Sequence, residues 1–288
     1  MVERRVKRGI VIAAAAAATS VVMSISCGIL SFGRFPWTPS FSRVAEGSPP
    51  PLPAHFPDVA IVSLDEQSLQ SSEQPWPWPR GRFAEIVYRL EAAGAEVLAF
   101  SFDFSERRER RNDMAFARAI KQSRRVVLAA HRESRDGEGE RVRLPAPEFW
   151  IGAAAIGHLL YDVDRDGIVR HGMRDHRIAA HALPSLSQAA VALALGQDPV
   201  PSDTRRFAID YRWANTPIPS IPMDDVIQGR FDPGAVAGRI VFIGGTASRF
   251  QDVWTTPLGP NQPGLYIQAL AARTLLAEYA AASQQTWR

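Results

Sequence analysis

Apolar residues in this chain fall into short unbroken runs separated by stretches with a helical period. Val59–Leu64 is a β-branched run that predicts a buried strand, and it ends on two carboxylates, Asp65 and Glu66. A polar loop follows, stiffened by Pro75, Pro77 and Pro79 around Trp76 and Trp78. Pro79 suits the first turn of a helix, where a missing N–H costs no hydrogen bond. Phe83, Ile86, Val87 and Leu90 then lie at i, i+3, i+4 and i+7 on one face. Glu85 and Arg89 pair one turn apart, and Gly94 suits the left-handed position that stops the helix. Val97–Phe100 is the next buried run, which completes a strand–helix–strand unit.

The alternation continues. Phe104–Asn112 is a charged loop whose basic cluster reads as solvated, with phosphate binding as the alternative. Asn112 or Asp113 caps a helix to about Gln122, and Val126–Ala130 is a third strand. This order predicts an α/β fold with a largely parallel or mixed sheet and helices on both faces. Ser134–Arg143 is a surface hairpin or loop. Ala153–Leu160 leads into Tyr161–Arg170, a strand, an Asp-Gly turn and a return strand. Pro184–Leu195 is a helix, Phe207–Tyr211 a strand and Thr216–Pro222 an extended segment. Gly238–Gly245 is the last strong strand, and from Pro263 onward Leu265, Gln268, Ala269, Ala272 and Leu276 mark a closing helix.

A strand ending in DEQSL and followed by WPWPRGRFAEIVYRLEAAGAEVLAF resembles the start of CHASE2 domains, which are extracytoplasmic sensory modules of bacterial membrane receptors. DVDRDGIVR is similar to that family's D-G-x-x-R hairpin. GRIVFIGGTASRFQDVWTTPLGPNQPG is similar to its closing strand, glycine turn, Asp252 and the Pro263-Gly264 that opens the helix. The likeness covers Asp58 to about Glu278 and implies ligand recognition outside the cytoplasm. Two departures accompany it. Ser101 stands where the family usually has an Asp, although Asp103 lies two positions on. Family members also usually continue into transmembrane helices and a cytoplasmic output domain, whereas this sequence stops at Arg288.

Composition adds bounds. The chain has 288 residues, is 46% hydrophobic and 22% charged, and sets 33 basic residues against 30 acidic ones. The basic residues are scattered without an aromatic-interleaved stripe, so no nucleic-acid partner is expected. The exception is the N-terminus. Met1–Arg8 carries Arg4, Arg5, Lys7 and Arg8, and Gly9–Gly33 has no charge. As a helix, Gly9–Leu30 is about 33 Å long, enough for a bilayer core of roughly 30 Å. The basic flank puts the N-terminus in the cytoplasm and the remainder outside. The expectation is a single uncleaved transmembrane helix in the inner membrane, then a Pro-rich linker over residues 34–57 and a periplasmic domain over 58–288. The alternatives are a cleaved signal peptide and lipoprotein processing at Cys27, the only cysteine.

Candidate chemistry gathers at strand ends. In an open α/β sheet, ligands bind beyond the carboxyl ends of the strands. Asp65, Ser101, Asp103, His131 and Gly244 each follow a strand, and Arg80 begins the helix that faces them. The expected ligand-binding residues are Asp65, Trp78, Arg80, Asp103 and Gly244, with Arg170 and Asp252 joining from the matched motifs. Asp65, Arg80 and Asp103 are expected to line a polar crevice with Trp78 closing one wall. The structural alternatives are an Asp65–Arg80 ion pair and purely packing tryptophans. Asp162, Asp164, Asp166 and Gly167 match half of a calcium loop, but Met173 stands where a bidentate Glu is needed, so a plain hairpin is expected. No cofactor, metal or catalytic residue is expected. The partners foreseen are the membrane, an unknown small molecule, and a second copy or a signalling chain. An extracytoplasmic hydrolase and an envelope assembly protein remain the competing readings.

Overall fold

Seven strands make the sheet that organises the residues described by this computed structural model, 47–134, 140–178, 181–197 and 205–285. The basic flank, the Gly9–Gly33 span with Cys27 and the first part of the linker lie outside the described residues. β1 (Asp58–Leu64) leads through a short α1 (Glu66–Ser71) to α2 (Arg80–Ala92) and β2 (Val97–Phe100). Next come α3 (Arg110–Ser123), β3 (Val126–Ser134), β4 (Glu140–Arg143), α4 (Pro147–Trp150) and β5 (Ala155–His158). Two hairpins follow, β6 (Tyr161–Val163) with β7 (Val169–Met173) and β8 (Asp175–Ile178) with β9 (His181–Pro184). Then come α5 (Leu186–Ala194), β10 (Arg206–Ala208), β11 (Ser220–Pro222) and α6 (Met223–Gln228). β12 (Arg239–Gly245), a β13 (Val253–Thr256) and β14 (Gly259–Pro263) hairpin, and α7 (Gly264–Gln285) complete the described elements.

The sheet order is β11-β1-β12-β2-β3, and β3 then serves two neighbours. Its residues Val127–Ala130 run parallel to β5, and His131–Ser134 run antiparallel to β4. Every other neighbouring pair is parallel, so the sheet is mixed, as the pattern of runs predicts. β12 lies between β1 and β2, with Asp58 opposite Arg239 and Leu64 opposite Gly245. The sequence pattern carries no sign of that insertion.

Period-2 alternation assigns each strand residue to a face. Ala60, Val62, Leu64, Leu98, Phe100, Val241 and Ile243 face α2, α3 and α6. Val59, Ile61, Val97, Ala99, Ile240 and Phe242 face α5 and α7. From Gly264 to Leu276 every residue of α7 is buried, as expected of a helix that is apolar nearly all round. Full burial of a leucine such as Leu270 or Leu275 contributes about 1.5–3 kcal/mol. Among the described residues no helix is long and apolar enough to cross a membrane.

Several local expectations shift. Pro79 is the N-cap of α2, one place before the first turn. The polar loop contains α1, because Asp65 accepts a hydrogen bond from the Ser68 N–H at 2.7 Å and caps it. α3 starts at Arg110 under a Glu109 cap, and Asp113 instead accepts from the Arg108 N–H at 2.7 Å. The strand expected over Phe207–Tyr211 ends at Ala208, since Asp210 accepts from the Arg212 N–H and starts a 3-10 turn. At the domain's entry, Leu52 and Phe56 pack against the core face that holds α7.

Candidate functional site

A crevice of about 870 Å³ opens at the carboxyl ends of β2, β3, β5 and β12. Ser101 and Asp103 follow β2, His131 lies where β3 exchanges β5 for β4, and Leu159–Tyr161 follow β5. Gly245 ends β12, and Asp252 precedes β13.

Arg80, the first residue of α2, is 3% exposed and lines this crevice. Its guanidinium rests over the Phe104 ring at 4.5 Å, with Phe83 and Phe149 near 6 Å. Nη2 donates to the Asp103 carbonyl at 3.4 Å, and Nε has no partner. Burial and the neighbouring Arg108 charge bring its pKa down to about 10. Arg80 and Asp65 do not meet. The Asp103 carboxylate turns to Arg143 at 2.5 Å and to the Ser105 N–H at 2.8 Å. Burial alone would raise the Asp103 pKa, but the Ser105 hydrogen bonds and the His131 and Arg143 charges outweigh it and keep the group acidic.

His131 stands within the influence of both Asp103 and Asp252. Burial pulls its pKa below the usual value despite their attraction, and its Nε2 is buried without a partner. Asp252 shifts the other way, because burial outweighs the 2.8 Å bond from the Trp254 indole N–H and the charge of His131. Tyr161 packs edge-on to Trp254 at 5.2 Å, donates to the Gly264 carbonyl at 2.8 Å and accepts from Gln268 at 3.0 Å. Asp252 and Tyr161 thereby tie the crevice to the first turn of α7, where Gly264 N–H also donates to the Asp252 carbonyl.

A second wall is aromatic. Trp76 meets Phe102 at 5.5 Å and Phe250 at 5.2 Å, and all three line the crevice. The tryptophan expected there, Trp78, is instead fully buried under the loop, with its indole N–H on the Gln74 carbonyl and Arg82 over its ring at 4.7 Å.

Of the residues singled out from the sequence, Arg80, Asp103 and Asp252 line the crevice together with Ser101 and His131. Asp65 is occupied as a helix cap. Gly244 is buried one step below, where a Cβ would collide with Ser101 and Leu265. Arg170 holds Asp164 at 2.8 Å and Asp166 at 2.9 Å in the Asp-Gly hairpin. Arg206 takes Asp162 and the second Asp164 oxygen, so arginines occupy the carboxylates that half a calcium loop would offer. Among the described residues no group of three or more His, Cys, Asp or Glu is placed to hold a metal ion. The lining residues Tyr161, His176, Phe250 and Trp254 were not singled out. Phe250 and Trp254 flank Asp252 in sequence, and that proximity was the available signal.

The sequence profile of the CHASE2 domain matches residues 17–288, nearly the whole chain. No curated protein and no solved structure matches it.

Proposed function

This chain belongs to the CHASE2 family of extracellular sensory domains, and from that premise we propose that it senses a small molecule in the crevice at the strand ends. CHASE2 is a sensory and not a catalytic domain, and in membrane receptors it lies outside the cytoplasm. In this reading the uncharged Gly9–Gly33 segment is a single inner-membrane anchor and the domain faces the periplasm. Its output passes to a second copy or to a signalling partner chain.

The observation that carries the reading is the pair of buried, unpartnered nitrogens on the crevice wall, Arg80 Nε and His131 Nε2. A buried polar group without a partner costs about 1–3 kcal/mol, and a site that keeps such groups is suited to a ligand that supplies the missing bonds. The test is a thermal-unfolding screen of the full-length chain against a panel of neutral, cationic and anionic metabolites. A saturating ligand at about 100 times its Kd stabilises by about 2.7 kcal/mol. We expect at least one such compound, with the shift abolished by Trp76→Ala. A panel without hits, or hits indifferent to crevice substitutions, overturns the reading. A reporter active only outside the cytoplasm, fused after Arg288, is expected to be active, and silence there would reject the topology.

A further inference from the structure

Two guanidinium groups on the crevice wall have no carboxylate of their own. Arg80 is buried, reaches only a backbone carbonyl and leaves Nε unpaired. Arg108 lines the same crevice, and the bond it makes, to Asp113, uses its backbone N–H. The acids whose charge reaches Arg80 are Asp113, Asp103 and Glu106, and none of them pairs with it directly: Asp103 is held by Arg143, and Asp113 takes that Arg108 amide. The adjacent Arg107 shows the contrast, because Glu148 grips it with two bonds of 2.7 and 3.0 Å. The neighbouring α4 therefore does supply a carboxylate where an arginine of this loop is held structurally.

A buried cation that touches no carboxylate is costly even with acids in the neighbourhood. The Phe104 face under Arg80 offsets part of that cost, but it leaves the in-plane N–H groups that do not reach the Asp103 carbonyl able to donate. A planar oxyanion is the natural acceptor for such groups. The aromatic wall adjoins this charge, since Phe83 touches Arg80 on one side and both Trp76 and Phe102 on the other. Flat apolar bodies stack on rings of this kind.

Resting on the small-molecule reading above, we propose that the crevice takes a carboxylate joined to a flat apolar body, the carboxylate on Arg80 and Arg108 and the body against Trp76.

The experiment titrates the full-length chain at low salt with benzoate, its neutral isostere benzamide, and benzylamine. Calorimetry is expected to show benzoate binding at least tenfold more tightly than either of the others. Arg108→Gln, at an exposed position, should weaken benzoate severalfold and leave the ligand-free melting temperature in place. Arg80→Gln should abolish binding, and if that variant does not fold, Arg108→Gln decides alone. Benzamide or benzylamine binding as tightly as benzoate overturns the anion preference and leaves small-molecule sensing intact. Benzoate binding that ignores Arg108→Gln overturns it as well. No binding by any of the three, while the wider panel yields a hit, removes this inference only; no hit anywhere removes both.

Discussion

Arg273 of α7 grips Asp58, the first residue of β1, through bonds of 2.8 and 3.0 Å, although the two stand 215 positions apart. The arginine is fully buried, and its remaining N–H groups reach the carbonyls of Trp213, Thr216 and Pro217 at 3.2, 2.7 and 3.2 Å. Asp58 is partly exposed and also accepts from Arg239 at 2.9 Å.

That asymmetry sets the outcome of mutation. Asp58→Ala leaves a charge buried without its counterpart and should cost about 3–5 kcal/mol in urea unfolding. Arg273→Met should cost less, because the stranded carboxylate keeps Arg239 and some water. The reverse ranking would show that the pair is not what fixes α7 to β1. Burial raises the Asp58 pKa, but the Arg273 bond and charge overcome it and leave it lowered. The contribution of this pair is therefore present above about pH 4 and lost as acid protonates Asp58.

Acid should act earlier through His158. This side chain is fully buried beside His176, and burial with that neighbour brings its pKa down to about 3. Its Nδ1 accepts from the Leu160 N–H, and its Nε2 has no partner. The unfolded chain takes up this proton near pH 6.5 and the folded one does not. Stability therefore falls as pH drops below about 6.5, at up to about 1.4 kcal/mol per pH unit from this group. Denaturation midpoints from pH 7 to 4.5 should show the slope, and His158→Gln should flatten it; an unchanged slope would assign the effect elsewhere, with His131 the next candidate.

Gly157 of β5 tolerates no side chain. A Cβ there would lie 2.5–2.7 Å from backbone atoms of Ser185 and Leu186 at the start of α5. Backbone cannot step aside as a flexible side chain can, so Gly157→Ala should cost more than about 2 kcal/mol or prevent folding. A near-neutral melting temperature would mean that α5 is free to move away from the sheet.

The two neighbouring tryptophans should separate. Trp78→Ala empties a fully buried site and should lose about 3–5 kcal/mol, whereas Trp76→Ala removes a half-buried wall of the crevice and should lose less. Asp65→Ala should cost about 1 kcal/mol through its cap and leave ligand affinity unchanged. Calorimetry on a crevice ligand, run beside the unfolding curves, checks all three.

The long-range plan of the fold was legible wherever burial imposed a pattern. β1, β2, β3, β12 and α2 announce themselves as apolar runs or as one apolar face. The strand-end rule brings Arg80, Ser101, Asp103 and His131 to one edge from the sequence alone. What stayed hidden has physical causes. The β8–β9 and β13–β14 hairpins are rich in His, Arg, Thr, Gly and Pro, so they carry no alternation to read. Asp65 looked like a site residue because a strand-end carboxylate and a helix cap occupy the same sequence position. Trp76 and Trp78 are interchangeable in sequence, and only the packing of the loop decides which one reaches the crevice. Asp252, seen through a motif, stands by the crevice because Gly264 has no side chain to displace it.

The place of β12 has a consequence in time. Chains leave the ribosome from the N-terminus, and β1, α2 and β2 are finished early, yet β1 and β2 have no edge in common to pair along. The slot between them stays open until Arg239–Gly245 has been made. Until then both apolar faces of the nascent sheet depend on being kept from other chains. The core therefore closes late: β12 must fill the slot, and α7, made after it, must cover the second face before Asp58 meets Arg273.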